Sequence, residues 1–175
     1  NKLKIVKSRI LNELKLPKQI IYARKCIIKE ILDPKIKNKF LNSNHIQGAD
    51  KSKLKLGLYD NNELVAIMTF GSPRKAIGKN KADIDNSWEL IRFCNKINTH
   101  IIGSASKLLK YFINLHHPKH IYSFADNRWS HSINNVYSVL GFTKTSENKG
   151  YWYTKDFKSR LHRYNFNKYE LKKQG

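Results

Sequence analysis

The most informative chemical pattern in the chain is a short turn, His100-Ile101-Ile102-Gly103-Ser104-Ala105. It joins a segment with strand composition to one with helical periodicity. Glycine lets a backbone approach a ligand closely, and the first N–H groups of a helix bind anions such as a pyrophosphate. Close helix–strand packing is the simpler explanation of a Gly-x-Ala turn. We predict a coenzyme site, with contacts from His100, Ile102, Gly103, Ser104, Ala105 and Ser106.

Two residues that could transfer protons follow this turn. Asp126 comes just after an apolar segment, and a carboxylate at a strand end is held rigidly and partly shielded, as a general base requires. Capping of the next turn is the alternative role for Asp126. Tyr137 lies before Gly141, which is a typical helix end, and its phenol could serve as a general acid or simply pack in the core. We predict both residues as catalytic.

Arg92 interrupts an apolar strand, and a buried guanidinium needs an anionic partner. Glu89 lies three positions away, so a regular strand would place it on the opposite face. We therefore expect Arg92 to pair with Asp126 across neighbouring strands.

The chain is strongly basic, with 34 Lys+Arg against 13 Asp+Glu and a formal net charge of +21. A biased composition is one explanation. A polyanionic partner is the other, because clustered cations release the counterions of phosphate backbones. Nucleic acid, with DNA favoured, fits better than a membrane, since no basic helix with a bulky apolar face is evident. The predicted contacts are Lys4, Lys7, Arg9, Arg74, Lys75, Arg128, Trp129, Arg160 and Arg163.

The loop from Asn127 to Ser130 strengthens this prediction, because it places a cation and an indole beside Asp126. Such a loop could stack on a base or hold a phosphate, and a tryptophan that covers the core is the alternative. The histidines near Pro118 lack carboxylates at metal-ligand spacing, so we predict no metal site. These histidines are His116, His117, His120 and His131.

Composition limits the class of protein. The 175 residues, 40% of them hydrophobic, fit one folded domain. Cys26 and Cys94 are far apart and are expected to be reduced core residues. No apolar run is long enough to span a bilayer and no signal peptide is visible, so we expect a cytoplasmic location, in the host cell if the protein is phage-encoded.

The elements that would position these residues can be read from periodicity. We expect residues 1–18 to form a basic amphipathic helix, with Leu3, Val6, Ile10 and Leu14 on its apolar face, that would also serve as the linker if a further N-terminal domain precedes it. Residues 19–175 would form an α/β (α+β) domain with a mixed, mainly antiparallel sheet and helices on both faces. Its predicted strands are 22–31, 55–59, 63–70, 88–95, 121–125 and 151–154, and its predicted helices are 34–41, 104–115 and 134–140.

Taken together, the HIIGSA turn, the helix after it, the YSFAD strand and the NVYSVLGF helix resemble the GCN5-related N-acetyltransferase (GNAT) fold. With NHIQG and ELIRF, the chain also resembles the Mom family of phage DNA adenine-modification proteins and the C-terminal domain of Vsr-like (Hef-type) phage homing endonuclease-like proteins. The resemblance covers about residues 4 to 170. It implies acetyl-CoA or a related acyl-CoA bound at the turn, and catalytic roles for Arg92, Asp126, Tyr137 and His45.

The sequence departs from these families in two respects. His100 stands where the coenzyme turn usually has Gln or Arg, and the nuclease region is absent. We therefore predict first a nucleic-acid-binding GNAT-like domain of a phage or mobile-element protein. An acyl-CoA-dependent transferase that modifies a nucleobase is the alternative, and a structural partner in a larger phage assembly is a third. Oligomeric state and enzymatic activity stay open, and nuclease activity is not expected.

Overall fold

The structure is a computed structural model that describes residues 2–73, 86–127, 130, 135–147, 151–154, 156, 158–162, 166 and 172. The chain divides into two units, Asn1–Gly141 and Phe142–Gly175. No helix in the described ranges is both long and apolar enough to cross a bilayer.

The first unit contains four helices and seven strands within its described residues. In chain order these are α1 (Leu3–Glu13), β1 (Gln19–Tyr22), a 3₁₀ turn (Ala23–Lys25), β2 (Ile27–Glu30), α2 (Pro34–Asn44), β3 (Leu54–Asp60), β4 (Glu63–Gly71), β5 (Ser87–Asn95), β6 (Thr99–Ile102), α3 (Ser104–His116), β7 (His120–Ser123) and α4 (Val136–Val139). Five strands form one sheet in the order β2-β3-β4-β5-β7. All neighbours in it are antiparallel except β5 and β7, and this confirms the predicted fold class.

The hairpin of β3 and β4 forms where the sequence predicts it. Asn61 and Asn62 between the strands have φ of 46° and 66°. Asparagine tolerates this left-handed conformation because its short polar side chain can bond the local backbone. The hairpin brings together the most deeply buried positions of the sheet, including Leu58, Ile67 and Phe70.

Helix α3 covers one face of the sheet. Leu108, Leu109 and Phe112 are buried, and the Phe112 ring stacks on Phe70 with centroids 3.6 Å apart. The helix begins at the predicted residue and ends one residue later than predicted. Ile113 is 40% exposed, because its side chain lies at the edge of the buried stripe.

Helix α2 covers the opposite face. Pro34 occupies its first turn, and the Asp33 carboxylate accepts a hydrogen bond from the Lys35 N–H, so the start matches the preferred chemistry of a helix N-terminus. The helix buries Leu41 against Ile67 and Cys94. Both cysteines of the chain are free and buried, as predicted.

A β-bulge in β5 changes which side chains share a face. Phe70 of β4 pairs with Leu90, but the next residue, Thr69, pairs with Arg92, so Ile91 is the extra residue. Since Glu89 pairs with Gly71, two positions from Thr69, Glu89 and Arg92 lie on the same face. The expectation that they face opposite sides is wrong, because it assumed a regular strand.

Strand β5 separates from β7 next to the bulge at Ile91. Their parallel pairing runs only from Ser87 and His120 to Leu90 and Ser123. Strand β5 continues to Asn95, five residues beyond its last pair with β7. The two strands are therefore joined at one end only.

The predicted strand 22–31 is instead two strands in different sheets. Strand β1 pairs in parallel with β6, β2 pairs with β3, and the 3₁₀ turn separates them. The Lys107 ammonium of α3 donates to the carbonyl of Ala23, the first residue of this turn, and to that of Cys26, which follows the turn. These contacts satisfy backbone groups that a continuous strand would have paired with a neighbour.

Helix α1 forms as predicted, but a different face packs on the domain. Ile5 and Ser8 are buried, whereas Leu3, Ile10 and Leu14 are more than half exposed. Ser8 accepts a hydrogen bond of 2.6 Å from the N–H of Asn98, which fixes the rotation of the helix. A polar contact outside the helix thus overrides the apolar pattern within it. The predicted linker role of residues 1–18 stays a prediction.

The second unit contains a small antiparallel pair of strands, β8 (Tyr151–Tyr153) and β9 (Arg160–His162). The strand predicted at 151–154 is present, but it is not the last strand. Thr154 joins the two strands through a backbone hydrogen bond from its N–H to the carbonyl of Ser159.

Candidate functional site

The predicted coenzyme turn lies at the junction of β6 and α3. Gly103 has φ of 79°, a left-handed conformation that favours glycine, and α3 begins at the next residue. Gly103 is the N-cap residue of α3 and has no side chain to cap the first N–H groups of the helix. The first N–H groups of a helix lack partners inside the helix, so the start of α3 can bind an anion.

Ser104 connects this turn to the end of β5. Its hydroxyl lies 3.0 Å from Oδ1 of Asn95 and 3.1 Å from the carbonyl oxygen of Ile101. Asn95 is the last residue of β5, beyond the point where pairing with β7 has ended. The start of α3 therefore lies beside the part of β5 that has separated from β7.

A cavity of about 410 Å³ opens in front of the turn. Two cations lie on its wall. The Lys107 ammonium is held by the carbonyls of Ala23 and Cys26, and the Arg24 guanidinium lies 5.2 Å from the centre of the Tyr22 ring. In the part of the chain that the structure describes, the rest of the wall is mainly apolar, and the lining residues are Tyr22, Ala23, Arg24, Ile102, Gly103 and Lys107.

The other residues predicted at the turn differ in exposure. On β6, His100 and Ile102 are exposed and alternate with buried Thr99 and Ile101. In the first turn of α3, Ala105 is half-buried and Ser106 is exposed. The structure thus brings the predicted residues together, and coenzyme binding by them stays a prediction.

A buried ion pair that the sequence analysis missed lies beneath α2. The Lys37 ammonium is 2.9 Å from Oδ1 of Asp50, and the two side chains are 4% and 3% exposed. Thr69 donates a hydrogen bond of 2.6 Å to Oδ2, and the N–H of Ser52 donates one of 3.0 Å to Oδ1. Lys37 lies four residues before the buried Leu41 and therefore on the same face of α2. This spacing is the sequence signal that could have indicated a buried lysine.

These contacts determine the charge state of the pair. Burial alone would raise the pKa of Asp50, but hydrogen bonds from Thr69, Lys37 and Ser52 lower it below its usual value. The carboxylate therefore stays ionised at neutral pH and balances the charge of Lys37.

His45, predicted as catalytic, follows the last residue of α2 and is half-buried. Burial and the charges of Arg92 and Arg9 lower its pKa to about 4, against the opposing effect of Asp50. The imidazole is therefore neutral at pH 7. Its Nδ1 accepts a hydrogen bond of 3.1 Å from the N–H of Gln47, so the proton is on Nε2. This state makes His45 a hydrogen-bond donor and a poor base near neutral pH.

Cys94 lies on the same face of the sheet as Arg92. Burial raises the pKa of its thiol to about 12. A thiol is a nucleophile only as the thiolate, so Cys94 is a core residue and not a nucleophile at neutral pH.

The predicted catalytic residues Arg92, Asp126 and Tyr137 lie on three different elements. Arg92 is half-buried on β5, and its Nη1 donates to the carbonyl of Ile91, 2.8 Å away. Asp126 is half-buried beyond the end of β7, and its carbonyl accepts a hydrogen bond from the Ser130 hydroxyl. Tyr137 is half-buried on α4. The pairing of Arg92 with Asp126 stays a prediction.

Local hydrogen bonds connect Ser130 with Asp126 and with the start of α4. The Asn135 side chain donates to the carbonyl of Ser130 and accepts from the N–H groups of Tyr137 and Ser138. Asn135 is therefore the N-cap of α4 and fixes the position of Tyr137 relative to the loop after β7.

The predicted nucleic-acid contacts are spread over both units. Lys4 and Lys7 are exposed on α1, Arg9 is half-buried there, and Arg160 lies on β9. The remaining ones fall outside the described residues: Arg74, Lys75, Arg128, Trp129 and Arg163. Contact with nucleic acid stays a prediction for all of them.

Comparison with known proteins identifies the fold. An aminoglycoside acetyltransferase from an uncultured soil metagenomic sample, solved in complex with trehalose, superimposes with a TM-score of 0.52 over 75% of this chain and 97% of its own. The fold is GNAT-like. The two sequences are 12% identical, so the likeness concerns the fold alone.

A GNAT-family acetyltransferase from Streptococcus pneumoniae is also similar, with a TM-score of 0.47 and 12% identity over 74% of this chain and 98% of its own. No family model and no curated protein sequence matches the chain.

Proposed function

We propose that this chain is an acyl-coenzyme A-dependent N-acyltransferase whose acceptor is carried by a nucleic acid, with DNA favoured. The observation that carries the proposal is the left-handed Gly103 at the start of α3, in a GNAT-like fold and beside a cavity with cationic walls. The acyl group would lie beside the neighbouring part of β5, which extends beyond its last pair with β7.

The residues around the turn fit the chemistry of the coenzyme. Its pyrophosphate is anionic, and the N–H groups of Ser104, Ala105 and Ser106 at the helix start would bind it. Arg24 and Lys107 would offset its charge, and the apolar wall suits the non-polar part of a pantetheine arm. When bound, the coenzyme supplies an acyl group activated as a thioester.

The acceptor follows from charge and position. A net charge of +21 favours a polyanion, and an exocyclic amine of a base is the nucleophile that such a polymer offers. A base in a duplex would have to leave the stack to be reached. Asp126 would take the proton of this amine, and Tyr137 would protonate the leaving thiolate.

A second candidate is a nucleic-acid-binding domain without transfer, as in phage or mobile-element proteins of the homing endonuclease-associated type. Two observations favour it: His100 replaces the usual Gln or Arg of the coenzyme turn, and the low pKa of His45 removes one candidate base. This function requires salt-dependent binding of nucleic acid and no binding of the coenzyme.

Substituting alanine for Gly103 tests the coenzyme site. The new methyl group would lie at the cavity wall, and among the described residues its one neighbour within 4 Å is Cβ of Ala23, at 3.9 Å. We expect acetyl-CoA affinity, measured by isothermal titration calorimetry, to fall by about tenfold or more. The left-handed backbone should also reduce the free energy of unfolding by about 1 kcal/mol.

Gly141→Ala is the matched control for the cost of placing alanine in a left-handed backbone conformation. Gly141 has φ of 82°, nearly that of Gly103, and a Cβ there would meet no atom of the described residues within 4 Å. The two variants should be destabilised equally, and Gly141→Ala should keep wild-type coenzyme affinity. If Gly103→Ala and Gly141→Ala bind acetyl-CoA equally well, the coenzyme binds elsewhere. If the wild type shows no saturable binding of acetyl-CoA, the nucleic-acid-binding domain without transfer is favoured.

Asp126→Asn tests the proton acceptor. The amide keeps the shape of the carboxylate but cannot accept the proton, so transfer to an oligonucleotide should fall by about a hundredfold. Oligonucleotide affinity, measured by fluorescence anisotropy, should stay within about twofold, since phosphate contacts dominate it. Wild-type transfer rates in this variant would show that another residue is the base.

A further inference from the structure

A second cavity, of about 250 Å³, adjoins the cavity beside Gly103. Among the described residues, Tyr22 is the one that lines both of them. The second cavity lies between β1 and the turn of the β3–β4 hairpin, since Ile20 lines it from β1 and Asp60 and Asn61 line it from the hairpin. Pockets for drug-sized ligands begin at roughly 300 Å³, so this cavity suits one part of a longer molecule.

The backbone of β1 offers hydrogen-bonding groups to this cavity. One edge of β1 pairs with β6, where the N–H of Gln19 donates to the carbonyl of Asn98. Successive residues of an extended strand direct their backbone groups to opposite edges, so the N–H and the carbonyl of Ile20 point away from β6. In the described part of the chain, β1 and β6 form a sheet of two strands. Since Ile20 lines the cavity, a donor and an acceptor lie side by side on its wall.

Tyr22 adds a flat surface to the same wall. The residue is 45% exposed, and Ile102, its register partner on β6, is 43% exposed. The Arg24 guanidinium lies 5.2 Å from the centre of the Tyr22 ring. Nucleobases stack on aromatic rings and on guanidinium planes. The wall therefore combines a stacking surface with a backbone edge that can form hydrogen bonds.

We propose that the second cavity binds the adenine ring of a nucleotide, and that this nucleotide is the adenosine end of the coenzyme. Adenine carries a donor, its N6 amino group, next to an acceptor, N1, so the carbonyl and the N–H of Ile20 can pair with both while the ring stacks on Tyr22. Lys25 and Asp60 bring both signs of charge to the cavity, which suits a ribose that carries phosphate and hydroxyl groups. The coenzyme as the source rests on the function proposed above, whereas the adenine chemistry rests on this cavity.

The order of the two cavities matches the order of the groups in the coenzyme, in which a pyrophosphate joins the adenosine to the pantetheine arm. The second cavity would hold the adenosine. The start of α3 and Gly103, at the first cavity, would hold the pyrophosphate. Ser104 connects this helix start to Asn95 of β5, beside which the acyl group would lie.

Tyr22→Leu tests the stacking surface in the full chain. Leucine keeps an apolar side chain but removes the ring, so affinity for acetyl-CoA, measured by isothermal titration calorimetry, should fall by about tenfold. Affinity for acetylated phosphopantetheine, which lacks the nucleotide, should stay within about twofold of the wild type. Tyr111→Leu is the matched control, since Tyr111 on α3 is 42% exposed and is not among the described residues that line either cavity. It should bind both compounds as the wild type does.

A second measurement uses the unmodified protein and does not depend on the folding of a variant. Adenosine 3′,5′-bisphosphate and guanosine 3′,5′-bisphosphate, which differ only in the base, are titrated in turn by calorimetry. Guanine presents an acceptor, O6, and a donor, N1–H, where adenine presents a donor and an acceptor, so guanine would leave the backbone groups of Ile20 unpaired. The adenosine compound should therefore bind about tenfold more tightly.

The outcomes separate this site from the proposed function. If Tyr22→Leu loses affinity for acetyl-CoA and for acetylated phosphopantetheine equally, or loses none, the adenine site is overturned while coenzyme binding stands. Equal binding of the two bisphosphates also overturns it. If the wild type binds the adenosine compound preferentially but does not bind acetyl-CoA, the adenine site stands and the transferase is rejected. If it binds neither, both proposals fail.

Discussion

Replacing Asp50 by alanine should lower the free energy of unfolding by about 3–5 kcal/mol, the typical cost of leaving one partner of a buried ion pair alone. The Lys37 ammonium would remain 4% exposed without its counterion, and the Thr69 hydroxyl would lose its acceptor. Urea denaturation at pH 7, followed by circular dichroism, measures the change. The loss should appear as a lower midpoint with an unchanged slope.

Three further variants show whether this loss comes from the unpaired charge: Lys37→Met alone, Lys37→Met with Asp50→Ala, and Glu63→Ala. Lys37→Met combined with Asp50→Ala removes both charges, so the double variant should lose at least about 2 kcal/mol less than the sum of the single variants. Glu63→Ala breaks a surface pair with Lys96, whose partners are 57% and 36% exposed, and should cost less than about 1 kcal/mol. Strict additivity in the cycle would mean that the two buried groups stabilise the fold independently.

Acidification from pH 7 to pH 4 should remove about 3 kcal/mol of stability through His45 alone. Its pKa is about 4 in the folded chain and about 6.5 in a model peptide, so the unfolded state binds more protons between these values. Stability therefore rises with pH through this window and is constant above it. The pKa of Asp50 is lowered in the folded chain, so its contribution to the free energy of unfolding is lost only below about pH 4. The losses of stability through His45 and through Asp50 therefore occur in different pH ranges.

His45→Gln should flatten the pH dependence of unfolding between pH 4.5 and 6.5, because the side chain no longer titrates. His100→Gln is the matched control, since His100 is exposed on β6, and it should keep the wild-type slope. Denaturation at five pH values for the three proteins measures the effect. An unchanged slope in His45→Gln would show that this imidazole titrates alike in the folded and unfolded chains.

The order of the elements could be predicted because it depends on local signals. The hairpin loop Asp60-Asn61-Asn62, the buried stripe of α3 and the glycines at 103 and 141 each determine their own conformation. Errors arose where a distant contact decided the outcome. The rotation of α1 depends on Ser8 and Asn98, which are 90 residues apart, and no pattern within the helix indicates it.

The conformation of the turn at Gly103 could be predicted from the sequence, but the buried ion pair of Lys37 and Asp50 could not. The turn at Gly103 is a continuous segment whose conformation follows from its own residues. The buried pair Lys37 and Asp50 joins residues 13 apart, and Thr69 lies 19 residues further on. Because a lone lysine or aspartate is normally a surface residue, only the fold shows that these two are enclosed.

The extra residue at Ile91 also limits how the chain can vary in length. Deleting one residue from β5 would restore a regular alternation and would turn the side chains before or after the bulge to the other side of the sheet. Arg92 would then exchange places with the half-buried Phe93, or Glu89 with the buried Leu90. Insertions and deletions are therefore far less tolerable in this strand than single substitutions, and related chains should keep its residue count even where its side chains differ.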